Sequence, residues 1–321
     1  MDSIKTLKKV SIPAGEPVLL CLCRNESLTL PALIEHHRRL GFSYFVFLDN
    51  GSDDGTQELL AASDGVTLLE SKLPYKRHQN DFKQYLFQTY GMDRWGLLVD
   101  ADEFFDFPGS EHLSLQSLIS YLDQRGFNSL FTPLLDMFSD KPLQQLAEIE
   151  QAGFDRRHYP FCEIQSISRP PRHRLRASLL NRSFEAYTGG IRRSHFGLDC
   201  WLSKFALLKS SAGQTPYRTP HSISRRAKVA DISGALLHYK FTSAFFSKIQ
   251  SALAEKQYFQ DSSEYRKYAQ VLQDQPDFSL MTSDALAFTG LEALVPAGFG
   301  YTSKHFQKFL DQTRSQQSAP A

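Results

Sequence analysis

The chain has 321 residues, of which 41% are hydrophobic and 22% are charged, and these values exclude a disordered polymer and allow a large buried core. Its 36 lysines and arginines balance 35 aspartates and glutamates, so the net charge of +1 excludes a histone-like protein, and we expect no nucleic-acid partner. Cys21, Cys23, Cys162 and Cys200 have no zinc-binding spacing. Cys21 and Cys23 lie two residues apart on one predicted strand, a poor geometry for a disulfide, and we expect them to be reduced core thiols. No apolar run reaches the ~20 residues of a transmembrane helix, and we expect a cytoplasmic protein that can contact the inner face of a membrane.

Strands and helices alternate over the first 125 residues. The hydrophobic pattern predicts strands at Val18–Cys23, Tyr44–Leu48, Val66–Leu69 and Trp95–Val99. It predicts helices at Pro31–Leu40, Gln57–Ala62 and Gln79–Tyr90. Such alternation indicates an α/β fold in which helices flank a mostly parallel central sheet.

The regular pattern ends near Gly126, and an arginine-rich insert follows. Residues 156–193 contain nine arginines, two glutamates and no lysine, together with Pro170-Pro171 and Gly189-Gly190, which favour irregular structure. Aromatic and aliphatic residues recur at helical spacing from Phe241 to Gln275, and we predict a helical C-terminal extension over residues 241–311. The polar residues 312–321 predict a disordered tail.

An acidic motif, Asp100-Ala101-Asp102-Glu103, directly follows the predicted strand Trp95–Val99. Carboxylates crowded at one strand end repel one another unless a cation neutralises them. The Asp-X-Asp pattern is a common way to hold Mg²⁺ or Mn²⁺ while leaving coordination positions for a diphosphate. A solvated acidic turn is the alternative, but the position after a buried strand favours a metal site.

Two weaker signals accompany this motif. The turn Asp49-Asn50-Gly51-Ser52 can present a carboxylate and an amide to a nucleobase or ribose, or can simply cap a helix. His238, after Leu236-Leu237, can supply an imidazole to a metal or can be a core histidine. Ligands of parallel sheets bind beyond the carboxyl ends of the strands, where we expect these groups and Arg24-Asn25-Glu26 to meet.

Three segments, Cys21–Glu26, Leu48–Thr56 and Val99–Phe104, together resemble the family 2-like glycosyltransferases of GT-A fold, including the related family 92 group. The resemblance is specific over residues 17–106 and is weaker through residues 189–193 and 236–240. It implies a GT-A domain over residues 1–240, with a nucleotide-binding half at 15–125 and an acceptor half at 126–240. The helical residues 241–311 would then pack on that domain.

The resemblance also implies an activity: metal-dependent transfer of a sugar from a nucleotide-sugar, a UDP-sugar in particular, to a glycan or lipid-linked glycan, with inversion. It implies that Asp100, Asp102 and His238 bind Mn²⁺ or Mg²⁺, with Asp102 as the main ligand and Asp100 also facing the ribose. Asn50 stands where many relatives carry a second aspartate. The residues that it assigns to the nucleotide or sugar are Arg24, Asn25, Glu26, Asp49, Asn50, Arg77, Asn80 and Asp100.

An inverting transferase needs a carboxylate to deprotonate the acceptor hydroxyl. The candidates are Asp199 and, behind it, Glu163, and no pattern in the sequence selects between them. Arg192 and other arginines of the insert can add fixed positive charge near the donor.

Two other functions compete with this interpretation. A polyanion-binding or nucleic-acid-binding protein could use the insert Arg156–Arg193. A phosphatase of the Asp-X-Asp type is the second alternative, although Phe104 stands where such enzymes carry threonine. The first strand leads into neither GxGxxG nor GxxxxGK[ST], which argues against dinucleotide-binding and P-loop enzymes.

Overall fold

The protein is described by a computed structural model covering residues 3–169, 186–211, 217–219, 221–223, 227–255, 259–275 and 277–317. Much of the arginine-rich insert, including Pro170-Pro171, Arg172, Arg174, Arg176, Arg182 and Glu185, lies outside the described residues. The strands are β1 (Lys5–Lys8), β2 (Val18–Cys23), β3 (Tyr44–Asp49), β4 (Val66–Glu70), β5 (Trp95–Asp100), β6 (Glu103–Asp106), β7 (Ser129–Phe131), β8 (Leu134–Phe138), β9 (Phe161–Cys162), β10 (Ile167–Ser168), β11 (Thr188–Gly189), β12 (Leu207–Lys209), β13 (Tyr217–Thr219), β14 (Ser222–Ile223), β15 (Val229–Ser233), β16 (Ala235–His238) and β17 (Leu286–Ala287). The α-helices are α1 (Leu30–Leu40), α2 (Thr56–Ala62), α3 (Tyr75–Tyr90), α4 (Leu115–Gln124), α5 (Leu146–Ile149), α6 (Ile191–Phe196), α7 (Phe245–Glu255), α8 (Phe259–Asp274), α9 (Leu291–Leu294) and α10 (Lys304–Gln317).

Eight of the described strands form a large central sheet in the order β1-β4-β3-β2-β5-β12-β7-β15. Strands β2 to β5 are parallel, as are β7 and β15, whereas β1 and β12 run antiparallel to their neighbours. All six residues of β2 are buried, because this apolar strand lies inside the sheet between β3 and β5. The predicted α/β class with a mostly parallel central sheet is confirmed.

A second sheet lies beside the first, in the order β17-β9-β8-β16-β6. In it β16 runs parallel to β8 and antiparallel to β6. Only Ala101 and Asp102 separate β5 of the central sheet from β6 of the second sheet. The acidic motif therefore occupies the short link between the two sheets.

The helices begin and end close to the predicted positions, with one clear exception. Helix α1 ends at Gly41, whose φ of 119° is a left-handed conformation that glycine adopts without strain. Helix α3 begins at Tyr75, four residues before the predicted Gln79. Its buried residues begin at Phe82, so its first turn carries no apolar periodicity that the sequence could reveal.

Helices α7 and α8 cover most of the segment from Phe241 to Gln275 and contact each other. Helix α10 continues through residues 312–317, which the sequence predicted as disordered, and the last four residues lie outside the described part. Buried Phe306 and Leu310 hold this helix against the protein, and Arg314 pairs with Glu292 at 2.6 Å. None of the described helices combines the length and the apolarity that crossing a membrane requires.

Candidate functional site

The strand register brings the predicted site segments to one edge of the central sheet. Cys23 of β2 lies opposite Asp49 of β3, and Leu22 lies opposite Asp100 of β5. The residues after these three strands therefore lie side by side, as the parallel arrangement predicted. On the second sheet, His238 lies opposite Glu103, which places β16 beside the acidic motif.

Asp102, Glu103 and His238 form an acidic–histidine cluster, in which one ligand atom from each residue lies within 4.8 Å of the others. His238 Nε2 is 3.4 Å from Asp102 Oδ2, and both side chains are largely buried. The backbone N–H of Tyr239 donates to the Asp102 carbonyl oxygen at 2.8 Å and fixes the link between the sheets against β16. The structure thus brings together two of the three predicted metal ligands.

Asp100, the third predicted ligand, is held by two lysines instead. Lys83 of α3 contacts Asp100 Oδ1 at 2.5 Å, and Lys204 contacts Oδ2 at 3.0 Å. Lys204 also pairs with Glu103, whose other carboxylate oxygen accepts the Asp100 N–H at 3.1 Å. Burial opposes the charge of Asp100, but the two lysines outweigh it and lower the pKa of that carboxyl well below its usual value.

The charges of Asp102 and His238 support each other. Burial disfavours the charged ring, but the carboxylates of Asp102 and Asp136 outweigh it and raise the pKa of His238 to about 9. Burial likewise opposes the Asp102 carboxylate, yet His238 keeps the pKa of Asp102 well below its usual value. At neutral pH the ring is therefore protonated, and a cation that binds Nε2 must displace a proton.

The loop after β2 is tied to the C-terminal helix α7. Arg24 pairs with Glu255 at 2.7 Å, on the surface, and Glu26 pairs with Lys248 at 2.8 Å, in a less exposed position. Burial raises the pKa of Glu26, nearby Asp102 adds to the increase, and Lys248 opposes it. Two predicted nucleotide-binding residues are thus engaged with the helical extension.

The predicted nucleotide turn makes a network of internal hydrogen bonds. Asp49 is fully buried, and its Oδ2 accepts the Gly51 and Ser52 N–H groups at 3.0 Å each. Asn50 Nδ2 donates to the carbonyl oxygens of Ser71 and Leu73 at 2.7 and 2.9 Å. Asn25, with φ of 54°, accepts the Asp53 N–H at 3.0 Å and so joins the loop after β2 to this turn. These bonds set the shape of the turn, and its contact with a nucleotide stays a prediction.

A cavity of about 400 Å³ opens beside Asp100. It contains Asn80, one of the two α3 residues assigned to the nucleotide or sugar, whereas Arg77 is exposed on the same helix outside this lining. The lining carries amides, hydroxyls and paired charges, which suits a polar ligand. Its residues are Tyr75, Gln79, Asn80, Lys83, Asp100, Lys204, Thr219 and His221.

The two predicted bases lie in different environments. Asp199 is 66% exposed and pairs with Arg193. Glu163 is 4% exposed, its Oε1 accepts the Ser166 N–H at 2.7 Å, and its Oε2 has no hydrogen-bond partner among the described residues. Neither carboxylate hydrogen-bonds to the acidic–histidine cluster in the described part of the chain. The structure therefore does not bring the predicted bases into contact with the predicted metal ligands.

Arg192 is buried in α6, and its Nε donates to Asp136 Oδ2 at 2.9 Å. Its Nη2 has no hydrogen-bond partner in the residues that the structure describes. Asp136 thus bridges the predicted donor-binding Arg192 and the predicted metal ligand His238, because it contacts both side chains.

Several charged residues of the site were missed from the sequence. Asp136 is the single charge in the apolar segment Leu134–Phe138, and Lys204 is the single charge in Leu202–Leu208. A lone charge in an apolar segment is a signal that could have identified both residues. Lys83 lies three residues after Asn80 on α3, so helical spacing also marked it. Lys248 and Glu264 lie far from their partners Glu26 and Arg192 in the sequence, and only the tertiary fold brings them together.

The donor atoms of the cluster fit a hard divalent cation. Carboxylate oxygens and an imidazole nitrogen are suitable ligands for Mn²⁺ and Mg²⁺. Because Glu103 is already paired with Lys204 and the Asp100 N–H, Asp102 and His238 are the two residues best placed to hold such an ion.

The chain is distantly homologous to a glycosyltransferase family 92 protein from rice, Oryza sativa subsp. japonica, with 30% identity over 100 residues. The match spans 29% of this chain and 17% of the rice protein, so the chain covers only a small part of that relative. No protein-family model matches the chain. The homology confirms the family resemblance that the three motifs indicate.

Two solved structures are similar at low TM-scores. TarS of S. aureus has a TM-score of 0.30 and 13% identity, over 44% of this chain and 31% of TarS. CMP:2-keto-3-deoxy-manno-octonic acid synthetase has a TM-score of 0.26 and 11% identity, over 88% of this chain and 97% of that protein.

Proposed function

We propose that the protein is a metal-dependent glycosyltransferase that moves a sugar from a nucleotide-sugar, a UDP-sugar in particular, to a glycan or lipid-linked glycan with inversion. The observation that carries this proposal is the pairing of Asp102 with His238 at 3.4 Å, at the edge where β2, β3 and β5 end. The family 92 homology supports the same activity.

Asp102 and His238 would hold Mn²⁺ or Mg²⁺. Asp100, which lies between Lys83 and Lys204, would face the ribose of the donor. A bound divalent cation supplies Lewis-acid stabilisation of the diphosphate leaving group. Lys248, which faces both Glu26 and Asp102, adds fixed positive charge at the same edge. The cavity beside Asp100, with Asn80 in its lining, would receive part of the donor.

An inverting transfer also requires a group that removes the proton of the acceptor hydroxyl. Of the two candidates we favour Glu163, because one of its buried oxygens has no hydrogen-bond partner among the described residues and can accept a proton. Asp199 is less suitable, because it is exposed and already paired with Arg193.

The arginine insert gives weaker support to a polyanion-binding function. The described arginines have partners within the protein: Arg156 contacts His36, Arg192 contacts Asp136, and Arg193 contacts Asp199. We therefore place the transferase first.

A thermal-shift panel of UDP-, GDP-, CMP- and dTDP-sugars, with and without Mn²⁺, tests the proposed function. We expect one nucleotide class, UDP, to raise the melting temperature only when Mn²⁺ is present. Salt-sensitive binding of polyanions without a Mn²⁺-dependent response to any nucleotide-sugar would favour the polyanion-binding protein instead.

A further inference from the structure

A row of three polar side chains crosses the second sheet beside the acidic motif. Asp136 of β8 lies opposite His238 of β16, which lies opposite Glu103 of β6. Residues directly opposite one another on neighbouring strands project from the same face of a sheet. All three side chains are buried, and Asp136 is the one that belongs to none of the sequence motifs.

Asp136 determines how the imidazole of His238 is held. The ring Nδ1–H donates to Asp136 Oδ1 at 2.5 Å, while Nε2 lies on the other side of the ring, 3.4 Å from Asp102. A neutral imidazole carries one proton, so a proton on Nδ1 leaves the lone pair on Nε2. The carboxylate of Asp136 therefore selects the tautomer in which Nε2 can accept a cation.

The carboxylate of Asp136 is itself held in place. Arg192 Nε donates to its second oxygen at 2.9 Å, and the two side chains are only 8% and 4% exposed. Arg192 is in turn drawn towards Glu264 of α8, with Nη1 at 3.9 Å from Oε1. Each oxygen of Asp136 thus has one fixed partner, and the carboxylate cannot rotate without losing one of them.

We propose that Asp136 is a positioning residue, which holds His238 in the Nδ1–H tautomer with Nε2 directed at Asp102, and that Arg192 orients Asp136 for this task. The use of Nε2 for a divalent cation rests on the proposed function, whereas the tautomer and ring orientation do not. Groups that orient a metal-binding histidine in this way contribute about 10-fold to 100-fold to metal affinity.

A purely structural role is the competing explanation, since Asp136 and Arg192 form a buried ion pair that also stabilises the fold. A matched control separates the two roles. Asp231 of β15 is likewise a carboxylate with several partners, Tyr121, Ser303 and Arg125, and it makes no contact with His238 in the described part of the chain. Asp136→Asn and Asp231→Asn thus remove the same charge from two ion pairs, only one of which contacts His238.

The experiment measures two properties of the full chain. Electron paramagnetic resonance of free Mn²⁺ gives the affinity of the protein for the metal alone, without nucleotide or sugar. Nitrogen-15 spectra of the histidine rings, with His238 assigned from His238→Gln, report which ring nitrogen carries the proton when the ring is neutral.

We expect Asp136→Asn to weaken Mn²⁺ binding 10-fold to 100-fold and to shift His238 away from the Nδ1–H tautomer. Asp231→Asn should change neither property. An Asp136→Asn protein that keeps the tautomer and binds Mn²⁺ within twofold of wild type would overturn the proposal, as would equal losses in both variants.

Failure of the proposed function has a different signature. If the wild-type protein binds no Mn²⁺, the metal-dependent activity is wrong, and the ring spectra still decide whether Asp136 sets the tautomer. If Asp136→Asn does not fold, the wild-type spectrum decides alone, because a neutral His238 protonated on Nε2 contradicts the proposal.

Discussion

Lys248 of α7 lies 2.8 Å from Glu26, although 222 residues separate the two in the sequence. Burial opposes both charges, and the pKa of Lys248 is nevertheless raised, because Glu26 and Asp102 both stabilise the ammonium group. The C-terminal helices therefore contribute a cation to the edge of the sheet where the strands end. They are part of the candidate site.

Replacing Lys248 removes this cation from the proposed diphosphate site. We expect Lys248→Met to weaken binding of a UDP-sugar in the presence of Mn²⁺ by about tenfold, which corresponds to about 1.4 kcal/mol. Isothermal titration calorimetry measures the change. The matched control is Lys267→Met, which removes an exposed lysine of α8 that bonds to the Gly197 carbonyl oxygen. Equal affinities in the two variants would contradict a role for Lys248 in the site.

Lys204 joins two carboxylates in the buried link between the sheets. It is 6% exposed and pairs with Asp100 and Glu103, so its removal leaves Glu103 without its cation. We expect Lys204→Met to lower the free energy of unfolding by about 3–5 kcal/mol in urea denaturation.

The control for this variant is Lys209→Met, which breaks the exposed pair with Asp123 at 2.8 Å. That change should cost less than about 1 kcal/mol. A loss from Lys204→Met that is no larger than the loss from the control would mean that the buried pairs contribute little to stability.

Stability should also decrease in acid because of a buried histidine. His37 is fully buried, its Nδ1–H donates to the Leu33 carbonyl oxygen at 2.8 Å, and its Nε2 accepts the Phe105 N–H at 3.2 Å. Burial lowers the pKa of His37 to about 3, whereas in the unfolded chain the pKa is near 6.5. Between these values the unfolded state binds a proton that the native state does not, so the free energy of unfolding decreases as the pH falls.

The expected contribution of His37 is about 1.4 kcal/mol per pH unit between pH 6 and pH 4. Urea denaturation at three pH values measures it in the wild type and in His37→Gln, where the slope should be shallower by this amount. His305→Gln, an exposed change on α10, should keep the wild-type slope. Parallel slopes in all three proteins would show that His37 is not kept neutral by its surroundings.

Local patterns in the sequence predicted the parallel strands β2 to β5 and the helices between them well. The apolar strand β2 and its parallel neighbours have strong periodicity, and the polar groups after β2, β3 and β5 meet because parallel strands end together. Asp102 and His238, which the sequence assigned to one metal site, lie 3.4 Å apart, and their role as metal ligands stays a prediction. Local sequence was sufficient there because the candidate site residues stand at the strand ends themselves.

The charge pairing of the site could not be predicted in the same way. Asp100 faces Lys204, and Glu26 faces Lys248, across more than a hundred residues, so no local spacing records either contact. The prediction of a disordered tail was wrong for residues 312–317, which belong to α10. Tertiary packing explains the difference, because burial of Phe306 and Leu310 holds the helix in place despite the polar composition of its end.

The central claim is that Asp102 and His238 hold a divalent cation on which the diphosphate of a nucleotide binds. Calorimetric titration of UDP into the wild type and Asp102→Asn, each with Mn²⁺ and after chelation, tests it most directly. We predict that UDP binds the wild type with Mn²⁺ at least about tenfold more tightly than in any of the other three cases. Equal UDP affinity in all four titrations, with the variant still folded, would contradict the claim.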